Sequence, residues 1–416
     1  MSAVRSDILS EGTMPDVLSK SYLGEFSTGD CLDPYEHLPT PMLTLETNVV
    51  AENIEAMASW ASKRGVVLAP HGKTTMTPTL WKAQMSAGAV GITVANYAQA
   101  RVALQAGVPL VVIANEFLSP PGLRWLSAVL AESPTNVMCW VDSVEAVDLM
   151  QRKLQGSPRP VMVCVELGVE RGRAGARDEQ TVLDIVAAIR RSSALSLSGF
   201  SGFEGAVPDH SPDHLTPVEE FLDRLGQSFT RHFDDMEVDT PILTAGGSAY
   251  FDVVVDRLKP VVDQLAEARL MLRSGAYLLH DDLYYGINTP HRLRASGPVL
   301  HPAATLWGRV ISIPEPGLAL VDVGKRDVAY DITLPQPLRV HSADGTTRDL
   351  SSARLINTND QHGYLETVTQ AVTLGDLIEF GQAHPCTIAD KWREVPLITR
   401  SADGKLQLDG VVSTHF

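Results

Sequence analysis

The chain has 416 residues, 44% hydrophobic and 20% charged, the make-up of a soluble globular protein too long for one ordinary core, so two domains are expected. A formal net charge of −16 opposes a nucleic-acid partner, which needs a basic face. No segment approaches the roughly 18 apolar residues of a membrane span.

The first thirty residues hold Asp7, Glu11, Asp16 and Glu25 and no continuous apolar stretch, which argues against a secretory signal. From about residue 40 to 280 one pattern repeats: a short apolar run, a Gly-rich or polar turn, then a helical stretch. The runs are Val66–Pro70, Gly91–Val94, Leu110–Ala114, Val137–Val141, Val161–Leu167, Leu197–Phe203, Ile242–Ala245 and Leu270–Leu272. Amphipathic stretches such as Thr79–Ala87 and Thr181–Arg191 lie between them, and Val49–Lys63 precedes the first. Strands alternating with helices imply right-handed crossovers and a parallel sheet. Eight such units predict an α/β fold, a closed (β/α)8 TIM-type barrel over residues 40–300, with an open doubly wound sheet as the competing arrangement. Beyond residue 300, Ala304–Ile313, Leu318–Val323, Asp327–Ile332, Ala353–Ile356, Leu365–Val368 and Asp376–Phe380 read as strands between Pro, Gly and Asp turns. Residues 301–416 are therefore expected to form a mostly-β domain, with residues 1–39 packed on it. Cys31, Cys139, Cys164 and Cys386 are scattered, which suits a reducing cytoplasm better than a disulfide framework.

A parallel barrel carries its chemistry at the carboxyl ends of its strands. The first run ends at Pro70 and continues His71-Gly72-Lys73-Thr74-Thr75. A lysine there points into the barrel mouth, where desolvation and nearby cations favour imine chemistry; on residue type alone it is an exposed loop lysine. The seventh run leads into Gly246-Gly247-Ser248, whose amides and hydroxyl suit an anion, and phosphate is the expected ligand after strands seven and eight. The eighth is followed by Arg273-Ser274-Gly275-Ala276-Tyr277, adding a glycine and a phenol. Arg173, flanked by Gly172 and Gly175, reads either as a donor to a ring oxygen or nitrogen or as a surface salt bridge. His384-Pro385-Cys386 places an imidazole and a thiol at i and i+2, on one face if the segment is extended. Such a pair suits zinc and leaves positions open for water and substrate, while the plain alternative is coincidence with a buried cysteine.

These residues resemble the D-threonine aldolase and D-serine dehydratase family of fold-type III pyridoxal-phosphate (PLP) enzymes, built like alanine racemase. The likeness runs through Thr40-Pro41-Met42-Leu43, Pro70 to Thr74, Ala87 to Thr93, Gly172 to Gly175, Ala245 to Ser248, Leu272 to Tyr277, Asp360 to Gly363, and Gly381 to Trp392. It implies that Lys73 binds PLP as a Schiff base and moves the α-proton. Arg173 would then meet the ring's polar atoms, while Gly246, Gly247, Ser248, Gly275 and Tyr277 hold the phosphate. His384 and Cys386 would bind a divalent metal, zinc on the softness of the cysteine. Within the family His-x-Cys marks dehydratases and His-x-Asp marks aldolases, and the stretch from Cys386 to Trp392 looks like bacterial D-serine deaminases. Gln361 stands where an acidic residue is expected, and Ser248 where threonine is commoner. Phe203-Glu204-Gly205 lacks the histidine base of aldolases and leaves Glu204 as an acid or base.

The expected function is a PLP- and metal-dependent dehydratase acting on a D-β-hydroxy-amino acid such as D-serine, giving a keto acid and ammonia. The first alternative is a D-threonine-type aldolase, the second a PLP-binding protein without enzymatic activity; a racemase would leave the metal pair without a purpose. A cytoplasmic homodimer is expected from the resemblance.

Overall fold

Strands that are apolar on both faces need cover on both, and the barrel meets that need by curling the sheet inside a ring of helices. In the computed structural model, which describes residues 2–9, 19–23, 26–208, 215–368 and 370–416, the chain sorts into two compact units. One holds residues 58–73 and 88–275, the other residues 1–57, 74–87 and 276–416.

In the first unit all eight runs become strands: Val67–Leu68, Ile92–Val94, Leu110–Glu116, Asn136–Val141, Val161–Leu167, Leu195–Gly202, Ile242–Ala245 and Arg269–Leu272. From the second onward each pairs in parallel with the next, and the eighth pairs with the first. A bridge from His71 to Thr93 closes the remaining seam, with Thr93 N donating to Pro70 O at 2.9 Å and Val90 N to Leu68 O at 2.8 Å. The sheet is therefore a closed barrel, not an open doubly wound sheet. Ala69, Val112, Met138, Trp140, Cys164, Ile242 and Met271 pack together as its core. Asn96, Ser119, Ser143 and Asp178 cap the helices that follow strands, each accepting from a first-turn amide. The third strand outruns its apolar signal: it extends to Glu116 through a register irregularity after Ile113.

The second unit is organised around a strand that the sequence pattern did not mark. Met42–Glu46 pairs antiparallel with Ala304–Glu315 and parallel with Glu394–Arg400, and Cys31–Leu32 pairs with Leu406–Ser413. Leu38, Met42, Trp307, Leu377, Ile398 and Leu408 form a core here. Five expected strands appear as Ala304–Glu315, Leu318–Val321, Arg354–Thr358, Gly363–Glu366 and Leu377–Gly381. The sixth, Asp327–Ile332, is not a strand. The Asp327 carboxylate accepts from Gly324 N at 3.1 Å and Val328 N donates to Gly324 O at 3.1 Å, so a local turn takes the backbone groups a strand would use. Gln336–His341 and Thr347–Asp349 are strands without an anticipated signal. Residues 276–300 group with this unit, not with the barrel.

One charge lies fully inside this sheet. Glu379, 0% exposed, accepts from Arg339 Nε at 2.9 Å and Arg400 Nη1 at 3.0 Å, with His341 Nε2 at 2.7 Å. Burial opposes its ionisation, but the His341 contact and the two guanidiniums outweigh that and hold the carboxyl at about 2. Among the described residues no helix is long and apolar enough to cross a membrane. All four cysteines are free.

Candidate active site

The turn that follows the first barrel strand carries Lys73 in a single 3-10 turn, Gly72–Thr74, with the lysine exposed. The desolvation expected for it is not supplied by this surface. The loop leaving strand eight lies against the same turn: a Cβ on Gly275 would sit 2.3 Å from His71 O and 2.9 Å from His71 N, so only glycine fits. His71 is half-buried with its Nδ1 sealed, and burial together with the Lys73, Arg273 and Arg173 cations holds its imidazole well below the ordinary histidine value. It is neutral at pH 7.

Arg273, for which the sequence offered no role, crosses the mouth. It donates from Nη1 to Thr244 Oγ1 at 2.5 Å and from Nη2 to Gly202 O at 2.8 Å, and lies over the Trp140 ring at 5.3 Å. Arg173 is exposed and stacks over Phe203 at 4.4 Å. Gly246 adopts φ +104°, which turns its amide and that of Gly247 toward one acceptor. That acceptor is the Glu204 carboxylate, bonded by Gly246 N at 3.1 Å and by Gly247 N. The two amides expected for phosphate thus form an anion nest that holds the chain's own carboxylate. Ser248 follows, half-buried.

Two further acids, both missed in the sequence, stand at the strand ends. Burial, then the Glu116 charge, push Glu166 up, and burial raises Glu116 as well. Glu116 sits two residues beyond the apolar run that located its strand, and Glu166 is inside an apolar run, so neither had a positional signal. His71 Nδ1, Glu116 Oε1 and Ser201 Oγ are buried and have no partner among the described residues. Each such atom costs on the order of 1–3 kcal/mol, a cost that a polar ligand or an ordered water would relieve. An accessible lysine amine, an amide nest that accepts an anionic oxygen and unpaired polar atoms beside them fit PLP.

In the second unit Tyr277 is 3% exposed, its oxygen accepts from Gln84 Nε2 at 2.8 Å, and burial pushes its phenol up, so it is a neutral donor. The His-Pro-Cys segment is not extended as expected. Pro385 opens a short helix, Pro385–Ala389, with His384 as its N-cap, because proline at the first helical position has no amide to lose. Cap geometry still puts the two side chains together. The hydrogen bond to Cys386, against desolvation and with help from Asp331, raises His384 to about 9. Asp331 fixes the ring, with Oδ2 2.6 Å from His384 Nδ1, and Thr387 Oγ1 donates to Asp331 Oδ1 at 2.8 Å. Thr74, the residue after Lys73, has its hydroxyl 3.4 Å from Cys386 Sγ. No group of three His, Cys, Asp or Glu side chains gathers as a metal site among the described residues. A carboxylate on one imidazole nitrogen is nevertheless the arrangement that aims the other at a metal.

Residues 46–251 match the family described as the alanine racemase N-terminal domain, and residues 303–398 match a serine dehydratase domain. The chain is 25% identical over 358 residues to a D-threonine aldolase of Arthrobacter sp, covering 85% of this chain and 87% of that protein. It is 23% identical over 365 residues to a 3-hydroxy-D-aspartate aldolase of Paracoccus denitrificans (strain Pd 1222), at the same coverages. Among solved structures, the D-threonine aldolase from Filomicrobium marinum superposes with a TM-score of 0.77 at 22% identity, covering 94% of this chain and 98% of that one. The D-threo-3-hydroxyaspartate dehydratase from Delftia sp. HT23 gives 0.70 at 20% identity, covering 91% and 97%.

Proposed function

Since the chain belongs to the D-threonine aldolase and D-serine dehydratase-like family of PLP-dependent lyases acting on D-β-hydroxy amino acids, we propose that it removes water from such a substrate, D-serine in the first instance, to yield a keto acid and ammonia. The observation that carries this reading is Cys386 beside a histidine already oriented by Asp331. A thiolate and an imidazole suit zinc, whereas a carboxylate in place of the thiol would suit manganese or magnesium.

When bound, PLP supplies an electron sink that acidifies the substrate's α-carbon, and a zinc ion at His384 and Cys386 would supply a Lewis acid for a departing hydroxide. Lys73 would hold the cofactor through its amine and, released by the substrate's amine, accept the α-proton at Nζ. Arg173 would meet the ring's polar atoms. Gly275 keeps the backbone of the strand-eight loop open to close approach, and Ser248 and Tyr277 would add donors for the phosphate. The Gly246 and Gly247 amides, which now hold the Glu204 carboxylate, would be the donors for the phosphate, and Glu204 released from them would be an acid or base. Within this reading the protein works as a homodimer in a reducing cytoplasm, supported by the family and by four free cysteines.

The test is to incubate PLP-loaded protein with D-serine, D-threonine and D-threo-3-hydroxyaspartate, with and without a chelator. Keto acid and ammonia that disappear with the chelator support the dehydratase. The aldolases among the relatives favour a second reading: aldehyde plus glycine as the products would replace the first with it. No product from any substrate rejects both.

A further inference from the structure

The strand Leu377–Gly381 ends just ahead of the His-Pro-Cys segment, and Gln382 and Ala383 alone stand between that end and His384. Both are inside, Gln382 1% and Ala383 0% exposed, so whatever fixes their backbone fixes where His384 begins. Gln382 Nε2 donates back to Phe380 O at 3.0 Å, which ties the side chain to the strand it has just left. Its backbone groups turn to a different segment, 100 residues earlier in the chain.

Asp282 takes both of them. Its amide donates to Gln382 O at 3.0 Å, and its carboxylate Oδ2 accepts from Gln382 N at 2.9 Å. Main chain and side chain of one residue thus clamp one backbone position, where an ordinary loop contact would supply a single bond. Gly381 makes the room: a Cβ there would lie 2.5 Å from Asp282 Cγ and 2.9 Å from its Cβ, so the carboxyl rests directly against the strand end.

A clamp works only if its own base is fixed, and the segment behind Asp282 is tied repeatedly. His280 N donates to Ala276 O at 2.7 Å, Asn53 Nδ2 to Leu278 O at 3.2 Å, and Ala303 N to Leu279 O at 2.8 Å. Asp281, 1% exposed, spends Oδ1 on Leu283 N at 3.0 Å and Tyr285 N at 2.8 Å, which turns the chain into the short helix Tyr284–Asn288. The two neighbouring aspartates therefore divide the work: Asp281 shapes its own loop, and Asp282 reaches across to the segment that leads to the metal pair.

We propose that Asp282 is a positioning residue for that pair: by clamping the Gly381–Gln382 backbone it sets the point from which His384 and Cys386 reach the ion. The inference rests on the metal reading of His384 and Cys386 and extends it to a residue outside their motif.

The test uses the full chain in two measurements that need no turnover. Zinc-loaded protein is challenged with a chromophoric chelator, and cobalt(II) is bound in place of zinc so that its visible bands report the site's geometry and thiolate ligation. Asp282→Ala loses the acceptor and is expected to hold zinc about tenfold more weakly, with altered cobalt bands. Asp282→Asn keeps an oxygen for the Gln382 amide while losing the charge, and stays with the wild type in both measurements. Gly381→Ala drives a methyl into the carboxyl from the other side and reproduces the Asp282→Ala result, which keeps the test open where one variant does not fold. Wild-type zinc affinity and cobalt bands in both Asp282→Ala and Gly381→Ala overturn the inference. So does weaker zinc binding with unchanged cobalt bands and a lowered urea midpoint of the metal-free protein, the pattern of a general loss of fold. Equal losses in Asp282→Asn and Asp282→Ala overturn the clamp, since charge and not the hydrogen bond would then matter. A wild type that binds neither zinc nor cobalt rejects the metal reading itself, and the inference falls with it.

Discussion

Replacing Glu204 with alanine removes the carboxylate that accepts from Gly246 N at 3.1 Å and from Gly247 N. A hydrogen bond to a charged group contributes about 1.5–3 kcal/mol, and Glu204 is 0% exposed, so solvent weakens neither bond. Two bonds set an upper figure of about 3–6 kcal/mol, and water entering the vacated space recovers part of it, leaving ~3 kcal/mol as the expected loss. Glu204→Gln keeps one acceptor oxygen and loses about half as much. The assay is urea unfolding of wild type and both variants, each with and without saturating PLP. If phosphate uses the same two amides, it replaces the missing carboxylate, and PLP stabilises Glu204→Ala by more than it stabilises the wild type. A loss below about 1 kcal/mol without PLP, or equal stabilisation of both proteins by PLP, would refute the account of this turn.

Other consequences are as direct. Gly275→Ala puts a methyl against the His71 backbone; unfolding is expected to show a cost of about 1–3 kcal/mol, and PLP titration a weakened affinity, with unchanged affinity counting against the site. Cys386→Ala is expected to lower product formation by about 100-fold or more and remove its chelator sensitivity, while PLP absorbance stays; full activity would reject the metal pair. Glu379 has a folded value of about 2 against an ordinary 4.5. Its stabilisation, on the order of 3 kcal/mol, is therefore complete above the ordinary value and lost as pH falls toward 2. Acid unfolding of Glu379→Gln compared with the wild type reads this directly: the variant starts less stable at neutral pH and shows a flatter dependence below pH 4.5.

The barrel was legible because its strands are nearly continuous apolar runs, each closed by a polar turn, and that signal is local. Met42–Glu46 was not, because what makes it a strand is pairing with Ala304–Glu315 and Glu394–Arg400, hundreds of residues away in the chain. Position at the strand ends pointed to Lys73 and to the Gly246-Gly247 turn, where residue type alone would have left an exposed loop lysine and an ordinary turn. The Glu204 contact to that turn was beyond reach, as it joins two strand exits with no shared sequence pattern. His384 and Cys386 lie together for a different reason from the one assumed: not alternation in a strand but a proline-started helix with a histidine cap provides the proximity. Glu116 was lost because a strand located by its apolar residues appears to stop where the first polar one begins.

The Glu379 cluster constrains the order in which its residues can change during descent. Arg339, with 46% of its side chain exposed, can be replaced first, because the carboxylate keeps Arg400 and His341. Losing Glu379 first strands two cations and an imidazole around an empty position. A lineage that exchanges this cluster for an apolar one must therefore shed its positive members before its single negative one, and intermediates taken in the opposite order are the ones selection would remove.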